Sequence, residues 1–336
     1  MIIQLEHQLS KDHFTALQHE LKNIGYKSRE VRTQFNHYLV AVGKAEFDIR
    51  RIGSMPGIKD IHQVSDEYKL VSAKWKVQES SVDLGDGVLI GDGHFQIMAG
   101  PCSIESEEQV HSIVRHLVDH NIQVMRGGVF KPRSSPYAFR GLGTEGLKMF
   151  HRICREHGIK IITEVMMVEQ IGQMYDYVDV FQVGARNSQN FNLLDALGEV
   201  DKPVLLKRGI SGTMEELLQG AEYIFVHGNE KIMLCERGIR SYEKGYRNTM
   251  DINAIAMLKN MSHLPVIADP SHGIGIRRYV EPVALAALMA GADGIIMEVH
   301  ETPEKAASDG QQTLNYAEAG ELYQKLRAAY SLRESW

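Results

Sequence analysis

From Phe95 onward the chain repeats one hydrophobic rhythm. Short runs rich in β-branched and aliphatic residues recur as FQIMAG, IQVMRGG, IKIITEV, VDVFQVG, KPVLLKRG, KIMLCERG, LPVIADP and DGIIMEVH, and each reads as a strand. Amphipathic stretches lie between them, among them SEEQVHSIVRHLVDH, GLKMFHRICREHG, TMEELLQGAEYIFVHG and EPVALAALMAGA. Strands alternating with helices in this number, over roughly 250 residues, predict an α/β fold of the (β/α)8 TIM-barrel type. An open doubly wound sheet is the alternative, but no glycine-rich dinucleotide fingerprint follows the first strand. Just ahead of the barrel, VDLGDGVLIGDGH predicts a hairpin turned by glycines.

The N-terminal segment has a different pattern. MIIQLEH predicts a strand, and SKDHFTALQHELKNIGY sets Phe14, Leu17, Leu21 and Ile24 at helical spacing behind Ser10 as the cap. EVRTQ and HYLVAVG predict two strands around a turn at Phe35-Asn36. AEFDIRRIGSM predicts a short helix, and IKDIHQVS a last strand. The order βαββαβ is that of a small ferredoxin-like α+β domain. The expected division is a regulatory domain over 1–70, a linker over 71–79 and the catalytic barrel over 80–336.

Composition narrows the setting. Cys102, Cys154 and Cys235 are the only three cysteines, too few and too scattered for a disulfide framework, and they point to a reducing compartment. The opening MIIQLEHQLSKDHF carries acidic and polar residues too early for a signal peptide. No apolar run approaches the roughly 20 residues a membrane helix needs. A cytoplasmic protein with no membrane partner is expected. The formal net charge of −6 argues against nucleic-acid binding, so affinity for anions must come from locally placed bases.

In a barrel of this type the chemistry gathers at the C-terminal ends of the strands. Those ends carry Arg126, Lys131, Arg133, Arg186, Lys207 and Arg237. One such base alone is as well read as a solvated loop residue. Together, on an acidic protein, they predict a ligand with more than one phosphate-sized anion. The same ends carry Cys102, His272 and Glu298, with Asp309 in the following loop EKAASDGQQ. Thiol, imidazole and carboxylates at one mouth suit a divalent metal, although a buried cysteine is also an ordinary core residue and spacing leaves both readings open. Cys154, on a helical pattern, and Cys235, inside a strand, read as core.

The motifs AGPCSIES, RGGVFKPRSSPYAFRGLG, QVGARNSQNF, VLLKRG, LCERGIRSYE, DPSHG and EVHETPEKAASDGQQ resemble, in family order, 3-deoxy-D-arabino-heptulosonate 7-phosphate (DAHP) synthase. The resemblance is to the type I beta branch, with an N-terminal ferredoxin-like, ACT-like regulatory domain. It implies condensation of phosphoenolpyruvate with D-erythrose 4-phosphate and water, the first step of the shikimate pathway. It implies Cys102, His272, Glu298 and Asp309 as ligands of a divalent metal, with manganese, iron, cobalt and zinc all admissible. It implies Arg126, Lys131, Arg186, Lys207 and Arg237 as the phosphoenolpyruvate set, and Arg133 with Ser134 as holders of the erythrose phosphate. Lys131 is then the candidate proton donor to the new alkoxide, with His272 or a water on the metal as alternatives. A homotetramer is expected, inhibited by phenylalanine or tyrosine through N-terminal domains that pair over a neighbouring barrel mouth. Two rivals remain. One is 3-deoxy-D-manno-octulosonate 8-phosphate synthase, whose K-A-N-R-S-S loop differs from KPRSS here. The other is a non-catalytic barrel acting as a regulatory subunit, which would be expected to have lost ligands or bases.

Overall fold

The computed structural model describes residues 1–131, 137 and 139–336. At the N-terminus lie β1 (Ile2–Leu5), a helix Lys11–Asn23 capped by Ser10, β2 (Lys27–Arg32), β3 (His37–Val42), a short helix Ile49–Gly53 and β4 (Ile58–His62). The strands pair antiparallel in the order β2-β3-β1-β4, the ferredoxin-like arrangement. Both faces of this sheet are covered, which explains why β3 is buried at five successive positions. Leu39 and Ala41 pack with Leu17, Leu21 and Ile52 of the two helices. Tyr38 and Val40 point the other way, as strand alternation requires, and join the core around the barrel. There the Tyr38 ring meets Trp75 and Phe225 edge-on, with centroids 5.5 and 6.1 Å away.

The hairpin follows as β5 (Val82–Asp83) and β6 (Leu89–Ile90). Its turn, Gly85-Asp86-Gly87, runs at positive φ throughout (91°, 54°, 80°), a path that glycine on either side makes accessible. Then come eight strands: β7 (Gln96–Gly100), β8 (Val124–Arg126), β9 (Lys160–Val165), β10 (Val180–Val183), β11 (Val204–Lys207), β12 (Ile232–Glu236), β13 (Val266–Ala268) and β14 (Gly294–Glu298). They pair parallel in sequence order, and β14 returns to β7 to close the barrel. Val82, Leu84, Val88 and Ile90 of the hairpin fill one end of it, against Met98, Val124, Ile162, Val180, Leu205, Met233, Cys235, Ile267 and Ile296. No helix among the described residues is long and apolar enough to cross a membrane.

The small sheet docks at the same, N-terminal end of the barrel strands. Asn36 Nδ2 donates to Glu230 Oε1 at 3.1 Å, Thr33 Oγ1 donates to the same oxygen, and Gln34 Nε2 donates to Asn229 Oδ1 at 3.3 Å, all just ahead of β12. The connecting chain is fastened as well. Glu222 accepts the backbone N–H groups of Leu70 and Val71 at 2.9 and 3.1 Å, and His263 Nε2 donates to the Leu70 carbonyl at 2.8 Å.

Candidate active site

Side chains on a strand alternate, so two residues above each side chain that meets the hairpin stands another that faces inward. On seven of the eight strands that residue is polar. Arg126 stands above Val124, Glu164 above Ile162, Gln182 above Val180, and Lys207 above Leu205. Arg237 follows Cys235, Asp269 follows Ile267, and Glu298 follows Ile296. On β7 the corresponding residue is Gly100, because a Cβ there would lie 2.0 Å from the Arg126 carbonyl. The chain supplies Cys102 instead, from the turn beyond.

Arg126, Glu164, Gln182, Lys207 and Arg237 of this layer line a cavity of about 210 Å³ at the barrel mouth. Arg126, Lys131, Arg186, Lys207 and Arg237 all line it, with His272 and Asp309. The structure therefore brings together every sequence-predicted donor-site base that lies in the described part. Arg133 and Ser134 lie outside the described residues. Arg240, Arg247, Gln182 and Asn248 also line the cavity and were not anticipated. Gln182 was readable from strand period alone, and Arg240 sits inside the CERGIRSYE motif. Arg247 carried no such signal. It comes from the loop after β12 and reaches Asp309 Oδ1 at 3.2 Å and Gln312 Oε1 at 2.7 Å.

Arg237 is the informative cation. It is 5% exposed, and its guanidinium donates to the Gly238 carbonyl at 3.2 Å. Burial lowers its pKa, and Asp269 opposes that only in part. A guanidinium buried with so little compensation is a place for an anion. A Cβ at Gly184, across the cavity, would stand 2.1 Å from Glu164 Oε1, so a larger residue there would push the Glu164 carboxylate aside.

On the other side of the mouth, Cys102, Glu298 and Asp309 offer ligand atoms that lie within 4.8 Å of one another. Cys102 Sγ is 3.1 Å from Asp309 Oδ2 and 3.1 Å from Lys131 Nζ, which also donates to the Cys102 carbonyl at 2.8 Å. His272 Nε2 approaches Glu298 Oε1 at 3.5 Å, so the fourth expected ligand borders the cluster. Glu298, 1% exposed, is further held by Arg126 at 3.2 Å and by Gln312 Nε2 at 2.7 Å. Burial, with Glu298 and Asp309 nearby, pushes the Cys102 thiol up to about 12. Burial raises the Glu298 carboxyl, but the positive charges of His272, when protonated, and of Arg126 outweigh it and hold it below its ordinary value. A thiol, two carboxylates and an imidazole nitrogen fit a borderline-soft divalent cation, whose binding would displace the thiol proton.

The sequence model described as the DAHP synthetase I family matches residues 72–332. The chain is 46% identical over 274 residues to a phospho-2-dehydro-3-deoxyheptonate aldolase of Thermotoga maritima, covering 82% of this chain and 81% of the relative. A 2-dehydro-3-deoxyphosphooctonate aldolase of Syntrophobacter fumaroxidans is 32% identical over 259 residues, covering 71% of this chain and 88% of the relative. The crystal structure of the Thermotoga maritima phospho-2-dehydro-3-deoxyheptonate aldolase (DAHP synthase) superposes with a TM-score of 0.79 at 40% identity, over 99% of this chain and 98% of that one. A truncated form of the Thermotoga maritima 3-deoxy-D-arabino-heptulosonate 7-phosphate synthase gives 0.74 at 43% identity, over 79% of this chain and 98% of that one.

Proposed function

We propose, because this chain belongs to the DAHP synthetase I family, that its barrel mouth joins phosphoenolpyruvate to D-erythrose 4-phosphate. Water adds to the donor carbon that bears the phosphate, and DAHP and inorganic phosphate leave. The observation that carries this reading is the buried, under-compensated Arg237 beside Lys207, Arg126, Lys131 and Arg186 in one cavity. Two anionic substrates repel each other, and a fixed ring of cations offsets that repulsion before either arrives. Arg237, Arg186 and Lys207 are the residues for the donor's phosphate and carboxylate, and Arg133 and Ser134 those for the acceptor phosphate.

Cys102, His272, Glu298 and Asp309 would hold a divalent cation, manganese, iron, cobalt or zinc. When bound there, the ion supplies Lewis acidity toward the acceptor's aldehyde. Lys131 is placed between that cluster and the donor cavity. Its ammonium, 3.1 Å from Cys102 Sγ, is the proton source for the new alkoxide, with His272 as the alternative. The reading is tested by offering phosphoenolpyruvate with erythrose 4-phosphate or with arabinose 5-phosphate in competition. Preference for erythrose 4-phosphate supports it. Preference for arabinose 5-phosphate makes the protein a 3-deoxy-D-manno-octulosonate 8-phosphate synthase.

The first 70 residues are proposed as a control domain, with 71–79 as the connection and the barrel from 80, in a cytoplasmic homotetramer. Self-association is supported by apolar side chains left exposed on neighbouring helices, Met167, Val168, Phe191 and Tyr223. Because the small sheet sits at the far end of its own barrel, hindrance of a mouth has to come from a neighbouring subunit. Phenylalanine or tyrosine are the proposed effectors. Inhibition of the full chain that disappears on removing the first 78 residues supports this, and inhibition unchanged by that removal would move the effector site to the barrel.

A further inference from the structure

Asp269 directly follows β13, one layer above the hairpin, and is 2% exposed. Its two oxygens have separate partners. Oδ1 accepts the backbone N–H of His272 at 3.0 Å, which caps the short helix Pro270–Ile274. Oδ2 faces Lys207 Nζ at 2.5 Å and His272 Nδ1 at 2.8 Å at once. One carboxylate oxygen thus stands between a lysine of the anion cavity and the ring that borders the Cys102–Glu298–Asp309 cluster.

We propose that Asp269 is a positioning residue: shared between Lys207 and His272, it fixes the imidazole as the Nδ1–H tautomer and turns the Nε2 lone pair toward Glu298. The proposal rests on the reading of His272 as a metal ligand. An ionised carboxylate only accepts hydrogen bonds, so the ring nitrogen facing it carries the hydrogen. The neutral ring has one N–H, which leaves Nε2 free to ligate. Lys207 favours the ionised carboxylate and so supports the same tautomer. The surrounding backbone holds the ring in register. Ser271 Oγ accepts the Glu298 N–H at 2.9 Å, and Asn248 Nδ2 donates to the His272 carbonyl at 2.9 Å.

Asp269→Asn separates positioning from general damage. The amide oxygen would keep the cap to the His272 N–H, placing its NH2 against His272 Nδ1 and driving the ring proton to Nε2. Cobalt affinity, followed by the cobalt–thiolate band and by calorimetry, should fall about ten- to a hundredfold. Phosphoenolpyruvate affinity of the metal-free variant should stay unchanged or rise, since Lys207 has lost its internal anion. A fold defect would weaken both. Should the variant fail to fold, ¹⁵N-histidine spectra of the metal-free wild-type protein at mildly alkaline pH give the tautomer directly. His272, assigned by its loss in His272→Gln, is expected to carry its proton on Nδ1. A proton on Nε2, an unchanged cobalt affinity in Asp269→Asn, or parallel weakening of both ligands overturns the proposal. If the wild type shows the expected tautomer but binds no cobalt, the metal reading fails and the role of Asp269 in setting the tautomer stands.

Discussion

The interior of the barrel has two layers built from the same strands, and they have opposite characters. Toward the N-terminal end, Val124, Ile162, Leu205 and Ile296 meet Val88 and Ile90 of the hairpin and exclude water. Two residues further along the same strands stand Arg126, Glu164, Lys207 and Glu298. One step of strand period separates the part that holds the barrel together from the part proposed to do its chemistry. The lower layer makes the upper one effective. A dry, close-packed floor keeps the dielectric low beneath the buried pairs Arg126–Glu298 and Lys207–Asp269, and side chains standing on strands lose little order when charge develops above them.

Substitutions in the two layers should therefore have opposite signatures. Cys102→Ala is expected to leave a folded barrel and to lower metal-supported turnover by at least about a hundredfold. Near-full turnover in the variant after chelation and dialysis would make Cys102 a core residue. In the floor, Ile90→Ala should cost about 2–5 kcal/mol by urea unfolding, with kcat per folded molecule unchanged. Loss of kcat without loss of stability would deny the separation of layers.

Arg237 sharpens the contrast, since it is an upper-layer cation whose burial Asp269 opposes only in part. Arg237→Met should leave the melting temperature unchanged or raised, while phosphoenolpyruvate binding weakens roughly ten- to a hundredfold. A lower melting temperature would mean that the guanidinium is structural. Arg133→Ala should lower kcat/KM for erythrose 4-phosphate by roughly ten- to a hundredfold. A loss confined to phosphoenolpyruvate would reassign Arg133 to the donor.

How much of this was legible in the sequence depended on the kind of information each feature needs. Strand number, the glycine-turned hairpin and the βαββαβ order follow from local periodicity, and the structure has all of them. The gathering of Arg126, Lys131, Arg186, Lys207 and Arg237 followed from knowing that strand ends converge in a closed barrel. Features that need register between distant segments were not legible. Nothing local marks Tyr38 and Val40 as facing the barrel, since a ferredoxin-like sheet has one face free until a partner covers it. Nor does KLVSAK reveal that Leu70 and Val71 are buried, because their cover comes from Glu222 and His263, some 150 to 190 residues away. Arg247 became part of the site only when its loop met Asp309 and Gln312.

The smallest expected effect lies at the junction with the small domain. Burial, and then Lys76, holds His263 at about 3, well below an unfolded histidine. Below the ordinary value of about 6.5 the unfolded chain binds the proton and the folded one does not, so stability is complete above that pH and falls as the solution is acidified. At about pH 5 the loss should be roughly 2 kcal/mol, and His263→Asn should flatten that part of the profile. An unchanged slope in the variant would place the acid sensitivity elsewhere, with His116, held at about 4 by burial, the next group to test.

The central claim is that the mouth performs a metal-requiring condensation of two anionic substrates. It is tested most directly by measuring DAHP formation from phosphoenolpyruvate and erythrose 4-phosphate with the metal content of the same sample determined. Chelator-treated, dialysed protein should be inactive, and turnover should return in proportion to added manganese, iron, cobalt or zinc up to one ion per chain. Full turnover in protein holding far less than one ion per chain would contradict it.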